Sequence, residues 1–206
     1  MNPASTLVLS PGASVVLAVT VIVSLLALQA PSHWLQMGML RPYWLTRRGE
    51  WPTLLSNALL HADLPHLLFN AFTFWAFAFT LERHIGTPRF LALYAFGILV
   101  SDLGTWLRQR HNPHYQSLGA SGAISAVLFA AIVHAPTSSL YILPLPVPIP
   151  APLFALGYLA YSAWAARRAR DHINHDAHLS GALAGLVFVA WTDPAAWERA
   201  WQQVLG

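Results

Sequence analysis

The sequence predicts an all-α, polytopic membrane protein that folds as a bundle of six transmembrane helices. Charged residues make up 9% of the 206 positions, whereas soluble domains carry roughly 25%. Hydrophobic residues make up 56% and the mean hydropathy is +0.49, and several apolar runs are long enough to cross a bilayer. The nine Trp and six Tyr residues suit the aromatic belts at the two membrane surfaces. Together these observations exclude an ordinary soluble domain.

Six apolar segments form the predicted bundle, in a single transmembrane domain over residues 1–206. The segments cover residues 12–30, 66–81, 90–107, 118–133, 153–166 and 177–191. Residues 31–64 form a long mixed connection without a full span, so we expect them at the membrane interface. Residues 135–152 contain six prolines, which exclude a regular helix there. A short amphipathic tail follows the last segment.

Composition excludes several classes of function. The chain has no cysteine, and therefore no disulfide framework, thiolate metal site or thiol nucleophile. All eleven basic residues are arginines scattered over loops, with a net charge of +3, unlike a basic patch that binds nucleic acid. The histidines include no His-Glu-x-x-His pattern, and His61 and His66 are five residues apart, unlike the zinc-protease helix. We therefore expect the protein to use no metal or cofactor and to bind no nucleic acid. We expect it to be embedded in the lipid bilayer.

A serine flanked by small residues opens the fourth apolar segment. Polar groups inside a membrane are energetically costly and by default mark function. The hydroxyl of Ser121 would be a nucleophile if a base lay beside it, and His178 in the last segment is the candidate base. Taken alone, Ser121 could instead be a helix-packing serine and His178 an interfacial histidine.

The spacing around both residues favours a nucleophile–base pair. His178, Gly181 and Gly185 lie on one helical face, and small residues at such spacing let two membrane helices approach closely. A Ser121–His178 hydrogen bond, about 2.6–3.2 Å between heavy atoms, needs that approach. Because Ser121 lies near a helix start, free backbone N–H groups would face a negatively charged oxygen.

Two further polar side chains stand on one face of the second segment. His66 and Asn70 are spaced i, i+4, so they lie one turn apart. An imidazole and a carboxamide are hydrogen-bond donors that suit a developing oxyanion, although an interhelical hydrogen bond also explains Asn70. For His61 a structural loop contact and an active-site lining role are both open. Asp176, two residues before His178, points elsewhere on a helix and is expected to be a loop or cap residue.

Three stretches together resemble the rhomboid intramembrane serine proteases. Gly119-Ala-Ser-Gly122 looks like the family's serine motif, and His66-Leu-Leu-Phe-Asn70 is similar to its histidine–asparagine signature. His178 followed by Gly181 and Gly185 resembles its last helix. The resemblance covers roughly residues 12–192, in the family's order. One such stretch alone would be a weak signal, whereas three in order are a strong one.

The resemblance implies a fold, an activity and a set of residue roles. It implies a rhomboid-like bundle in which Ser121 is the nucleophile and His178 the general base. His66, Asn70 and the backbone N–H of Ser121 would stabilise the tetrahedral intermediate. The implied reaction is hydrolysis of a peptide bond in or next to the transmembrane segment of a protein substrate, without metal or ATP.

The sequence departs from the family's pattern in three places. Ser125 stands where an aromatic residue usually packs on the catalytic histidine, and another aromatic residue could take that place. Pro52 and Thr53 follow Trp51 where Trp-Arg is frequent. In the family's orientation most arginines lie on the outer side, which is the reverse of the positive-inside rule. The arginines on the outer side are 41, 47, 48, 108, 110, 167, 168 and 170, and those inside are 83, 89 and 199.

Two other functions compete with the protease. A non-catalytic rhomboid-like protein would bind and escort membrane clients, but such relatives commonly lack the serine or the histidine. A small transporter would show paired helix interruptions in two halves, and no such pair is present. The compact six-helix form without a leader-like N-terminus predicts a bacterial inner-membrane location.

Overall fold

A computed structural model describes residues 10–142, 147–168, 171 and 173–206. The elements in chain order are α1 (Pro11–Gln29), α2 (Ser32–Gly38), α3 (Pro42–Arg47), α4 (Thr53–Ser56), a 3₁₀ turn (Asn57–Leu59), α5 (Leu64–Ile85), α6 (Thr87–Gln109), α7 (Ser121–His134), β1 (Ser139–Tyr141), β2 (Pro148–Pro150), α8 (Ala151–Arg168), α9 (His175–Thr192) and α10 (Pro194–Leu205).

The six predicted helical segments are confirmed as helices, namely α1 and α5 to α9, with shifted ends. The second begins earlier than predicted because Asp63 caps it: the Asp63 carboxylate accepts a hydrogen bond from the His66 N–H at 2.7 Å. Such caps satisfy backbone donors that have no partner inside the helix. The same helix continues to Ile85 and ends at Gly86, whose φ of 82° suits glycine.

Only some of the described helices are long and apolar enough to span a membrane. Helices α1, α5 and α6 are each long and apolar enough to cross a bilayer, and α9 with α10 qualifies only as a pair bent by 109°. Among the described residues, length and composition therefore identify three spans, or four with the bent pair, and the full set of six stays a prediction. Large apolar side chains such as Leu26, Phe69 and Leu99 are at least half exposed, as expected of surfaces that face lipid. The chain is an integral membrane protein.

Helix α7 lies at the centre of the bundle, where α5, α6 and α9 pack around it. Eleven of its fourteen residues are buried, and Phe129 is among the largest fully buried side chains. Fourteen residues make a helix only about 21 Å long, shorter than a hydrocarbon core of about 30 Å. This central helix is surrounded by protein, so it needs no full-length lipid-facing surface.

Two connections contain structure that the sequence did not predict. In residues 135–152 the strands β1 and β2 pair antiparallel, with Leu140 opposite Ile149, so the all-α prediction missed a small hairpin. Prolines are tolerated in such edge strands because the outward-facing positions donate no ladder hydrogen bond. The connection over residues 31–64 contains three short helices and a 3₁₀ turn. The amphipathic tail is a helix, α10.

A buried carboxylate fixes the first helix to the bundle at the end opposite Ser121. Glu82 accepts hydrogen bonds from the backbone N–H groups of Gly12 at 2.9 Å and Ala13 at 2.6 Å. The Thr87 hydroxyl donates to the same carboxylate at 2.6 Å. Glu82 is 1% exposed. The carboxylate thus satisfies unpaired donors at the N-terminus of α1 and favours that end of the helix dipole.

Candidate active site

Ser121 is the first residue of α7, and Ala120 precedes it as the N-cap. The first backbone N–H groups of a helix have no intrahelical partner, and none of the described side chains caps this helix. The N–H groups of Ser121, Gly122 and Ala123 are therefore oriented out of the helix start. An oxyanion placed there would meet several donors and the positive end of the helix dipole.

The turn before Ser121 is held by a chain of hydrogen bonds. The Gly119 N–H donates to the carbonyl of Asn57 at 2.9 Å. The Asn57 side-chain amide donates to the Asp102 carboxylate at 2.8 Å, and both residues are buried. Leu40 and Ser117 exchange two backbone hydrogen bonds at 2.9 and 3.0 Å. The long connection over residues 31–64 thus fixes the position of the serine turn.

Helices α7 and α9 cross with their backbones in contact. A Cβ atom on Gly181 would collide with the carbonyl oxygen of Gly122, and one on Gly185 would collide with that of Ala126. A Cβ atom on Gly122 would lie 3.3 Å from the carbonyl oxygen of Ala177. The sequence predicted this approach from the glycine spacing, and the prediction is confirmed.

The crossing brings the neighbours of the two candidate residues together. Gly122 follows Ser121, and Ala177 precedes His178, so both candidates lie at the same end of the helix pair. Both side chains are partly exposed. Among the hydrogen bonds of the described residues, none joins the Ser121 hydroxyl to the His178 imidazole. Catalytic hydrogen bonds are often long or misaligned without substrate and tighten on binding.

His66 and Asn70 lie against the serine turn. A Cβ atom on Gly119 would be 3.0 Å from Nε2 of His66 and 3.7 Å from Nδ2 of Asn70. Gly119 also has a φ of 122°, so both its backbone conformation and its surroundings favour glycine. Asn70 is 5% exposed, and its Nδ2 has no hydrogen-bond partner in the described residues. A buried donor without a partner is energetically unfavourable, and here it borders the turn that carries Ser121.

His61 is a fully buried neighbour of this group. Its Nδ1 lies 2.8 Å from the hydroxyl of Ser24 on α1, and its ring meets His66 edge-on with centroids 4.9 Å apart. Burial first, and the neighbouring His66 second, lower the pKa of His61 from 6.5 to about 4. His61 therefore contacts helix α1 through Ser24 and the candidate site residue His66 through its ring.

Around His178 the structure supplies two ring neighbours that the sequence did not assign. The ring of Tyr158, from α8, stacks on His178 with centroids 6.3 Å apart and planes at 24°. His175 meets His178 edge-on at 5.9 Å. Asp176 instead pairs with Arg108 at 3.3 Å, so its carboxylate is engaged outside the site, as predicted. Asn174, not Asp176, caps α9.

The residues that sequence reasoning missed are Tyr158 and Asn57, the partner of Asp102. A missing aromatic residue at position 125 indicated that another ring was needed, but α8 offers several aromatic residues and only tertiary packing selects one. The Asp102 carboxylate on α6 accepts a hydrogen bond from the Asn57 side-chain amide. The partnership with Asn57 has no local signal because 45 residues separate the two.

The fold is a helical membrane bundle. A serine begins its central helix, and a histidine lies on the helix that crosses it. These features define a class of membrane protein with a buried polar site. Residues 48–193 match the Rhomboid domain. The chain belongs to the rhomboid family.

Individual relatives agree with this assignment. The rhomboid relative YdcA of Bacillus subtilis (strain 168) is 43% identical over 76 residues, which are 37% of this chain and 37% of that protein. The mitochondrial presenilin-associated rhomboid-like protein of Homo sapiens is 30% identical over 150 residues, 72% of this chain and 39% of that protein. Rhomboid protease GluP of Bacillus subtilis (strain 168) is 35% identical over 88 residues, which are 43% of this chain and 17% of that protein. The chain thus spans about two fifths or less of the length of these relatives.

Proposed function

We propose that this protein is an intramembrane serine endopeptidase that cleaves membrane-anchored proteins in or next to a transmembrane segment. Ser121 is the nucleophile and His178 the general base. His66, Asn70 and the backbone N–H of Ser121 stabilise the oxyanion. The reaction needs no metal or cofactor, and the partners are transmembrane protein substrates and the lipid bilayer.

The observation that carries this proposal is the backbone crossing of α7 and α9. Gly122 and Ala177 meet there, and each is next to one of the two candidate residues. His66 and Asn70 approach the same turn through Gly119. The proposal is supported by these neighbouring contacts at one end of an apolar bundle, where polar groups are energetically costly unless they serve a function.

In the first chemical step the Ser121 hydroxyl oxygen attacks the carbonyl carbon of the scissile peptide. Its proton passes to the neutral imidazole of His178, and the carbonyl π electrons move to the oxygen. That oxyanion accepts hydrogen bonds from the Ser121 N–H, His66 and Asn70. Donors fixed in advance stabilise the transition state more than the ground state.

The second half of the reaction regenerates the enzyme. The protonated His178 gives its proton to the departing amine as the C–N bond breaks, which leaves an ester on Ser121. Water then attacks this ester, His178 accepts a proton from the water, and the acid product leaves with the serine hydroxyl restored. Because water is a reactant, the site must open toward one membrane face.

The proposal also covers the position of the helices in the membrane and the location of the protein. All six helices α1 and α5 to α9 lie in the membrane as one transmembrane domain over residues 1–206, with α7 shielded from lipid by its neighbours. The protein resides in a bacterial inner membrane. The named relatives from Bacillus subtilis support a bacterial setting.

Cleavage of a membrane-anchored reporter in liposomes tests the proposal. The wild-type protein is expected to release the soluble part of the reporter, and Ser121→Ala to release none while retaining its thermal unfolding midpoint. Ser180→Ala is the matched control, since it removes a hydroxyl that bonds to the Asp176 carbonyl on α9 and should cleave normally. If the wild type only captures the uncut reporter, the client-binding alternative is correct instead.

A further inference from the structure

Tyr158 on α8 contacts both candidate catalytic helices at once. Its ring stacks on the His178 imidazole on α9, with centroids 6.3 Å apart and planes at 24°. Its hydroxyl lies 2.8 Å from the hydroxyl of Ser125 on α7. Ser125 lies one helical turn after Ser121, so Tyr158 reaches both sides of the proposed pair.

The hydrogen-bond directions follow from a count of protons. A serine hydroxyl has one hydrogen, and Ser125 donates it to the Ser121 carbonyl at 2.9 Å. Ser125 can then only accept from Tyr158, which must donate its phenol hydrogen. The result is a directed chain from Tyr158 through Ser125 to the backbone of Ser121.

The tyrosine ring is itself held in place by neighbouring rings. Phe129 packs against it with centroids 5.4 Å apart, and Phe154 with centroids 5.8 Å apart. Phe129 is fully buried and Ser125 is 4% exposed. A ring that is packed on two sides and hydrogen-bonded at its tip has few orientations open to it.

We propose that Tyr158 is the positioning residue for the His178 imidazole, with Ser125 as its anchor. This inference rests on the proposed function, because it concerns how the general base is oriented. Tyr158 takes no part in bond making or breaking and acts only through the orientation of the His178 ring. Its stacking fixes the imidazole plane, and its phenol ties that plane to the backbone of the nucleophile. Small misplacements of a catalytic group lower the rate strongly, so the effect appears in kcat.

The arrangement makes the site depend on α8. His178 and Ser121 belong to helices whose backbones are in contact, whereas Tyr158 enters from a third helix. Displacement of α8 from α9 removes the ring from His178 and breaks the bond to Ser125 in the same movement.

Steady-state cleavage of the liposome reporter by Tyr158 variants tests this inference. Tyr158→Leu is expected to lower kcat by about 10- to 100-fold with KM nearly unchanged. Tyr158→Phe retains the ring and should lose less, about 2- to 10-fold. Ser125→Ala should match Tyr158→Phe, and the double variant should be no worse than either single one, because both remove the same hydrogen bond.

A relocated ring gives a second test that does not depend on Tyr158→Leu folding well. Ser125→Tyr combined with Tyr158→Ser moves the aromatic residue to α7 and should recover at least part of the lost kcat. Tyr141→Leu, the same substitution at an exposed strand position, should leave kcat unchanged.

The outcomes separate this inference from the proposed function. If the wild type cleaves and Ser121→Ala does not, while Tyr158→Leu retains the kcat of Tyr141→Leu, the positioning role is wrong and the protease stands. A rise in KM alone, or additive losses from Ser125→Ala and Tyr158→Phe, also contradicts the positioning role. If the wild type cleaves nothing, both proposals are overturned.

Discussion

Two buried polar clusters, one at each end of the bundle, differ in how their atoms are paired. At one end, the Glu82 carboxylate accepts three hydrogen bonds, two from backbone and one from Thr87. At the other end, Nε2 of His61 and Nδ2 of Asn70 are buried without a partner in the described chain. Both arrangements place polar atoms in an apolar bundle, where each unpaired group is energetically costly.

The difference separates structure from function. The Glu82 carboxylate accepts hydrogen bonds from α1 and α6, and so joins the ends of these helices. The buried Asn70 donor has no partner in the described chain, and the proposed function gives it the oxyanion as its acceptor. Substitutions at the Glu82 end should therefore change stability, and those at the Ser121 end should change the reaction.

The largest expected effect is at His178. His178→Asn retains a polar side chain of similar reach but cannot accept the serine proton at neutral pH, so kcat should fall by about 10⁶-fold, to background. Thermal unfolding should move little. Reporter release over long incubations measures the residual rate, and a loss below about 10-fold would show that another group is the base.

The oxyanion donors should have a smaller, graded effect. Asn70→Ala and His66→Ala should each lower kcat by about 10²–10³ with little change in KM, because the donor acts chiefly on the transition state. Asn70→Ala should also leave stability unchanged or slightly raised, since it removes an unpaired buried donor. A normal kcat would assign the residue a packing role only.

The opposite end should respond in stability alone. Glu82→Gln removes a charge that accepts from two backbone N–H groups and a hydroxyl, so the free energy of unfolding should fall by about 2–3 kcal/mol. Activity per folded molecule should stay normal. The control is Glu198→Gln on the exposed face of α10. A loss of kcat in folded Glu82→Gln would contradict the division between the two ends.

The last prediction concerns pH and His61, and it affects stability only below neutral pH. Its pKa is about 4 in the folded protein and 6.5 ordinarily, so between these values the unfolded chain binds a proton that the folded chain does not. The stability contribution is complete above pH 6.5 and falls as the pH drops toward 4. His61→Gln should flatten this part of the pH–stability curve, measured as unfolding midpoints, whereas exposed His33→Gln should not.

The sequence predicted the order of the helices because apolar length and proline position are local signals. It also predicted the α7–α9 approach, because glycine spacing fixes which faces can meet. It did not predict that α7 is enclosed, since shielding by neighbours is a property of the assembled bundle. In the described part of the chain, length and composition identify three of the six predicted spans, or four with the bent pair.

The candidate site residues could be predicted from the sequence only where they share a helix or a motif. His66 and Asn70 share a face, and Ser121 lies at a helix start, so their placement followed from spacing. Tyr158 stacks on a residue twenty positions away on another helix, and Asn57 pairs with Asp102 across 45 positions. Such partners are selected by packing, which no local pattern records.

Covalent labelling with a fluorophosphonate probe, followed by mass spectrometry of the modified peptide, tests the central claim most directly. The account predicts one adduct, on the Ser121 hydroxyl, that is absent in Ser121→Ala and forms far more slowly in folded His178→Asn. An adduct on a different serine, or labelling at the wild-type rate without His178, would contradict it.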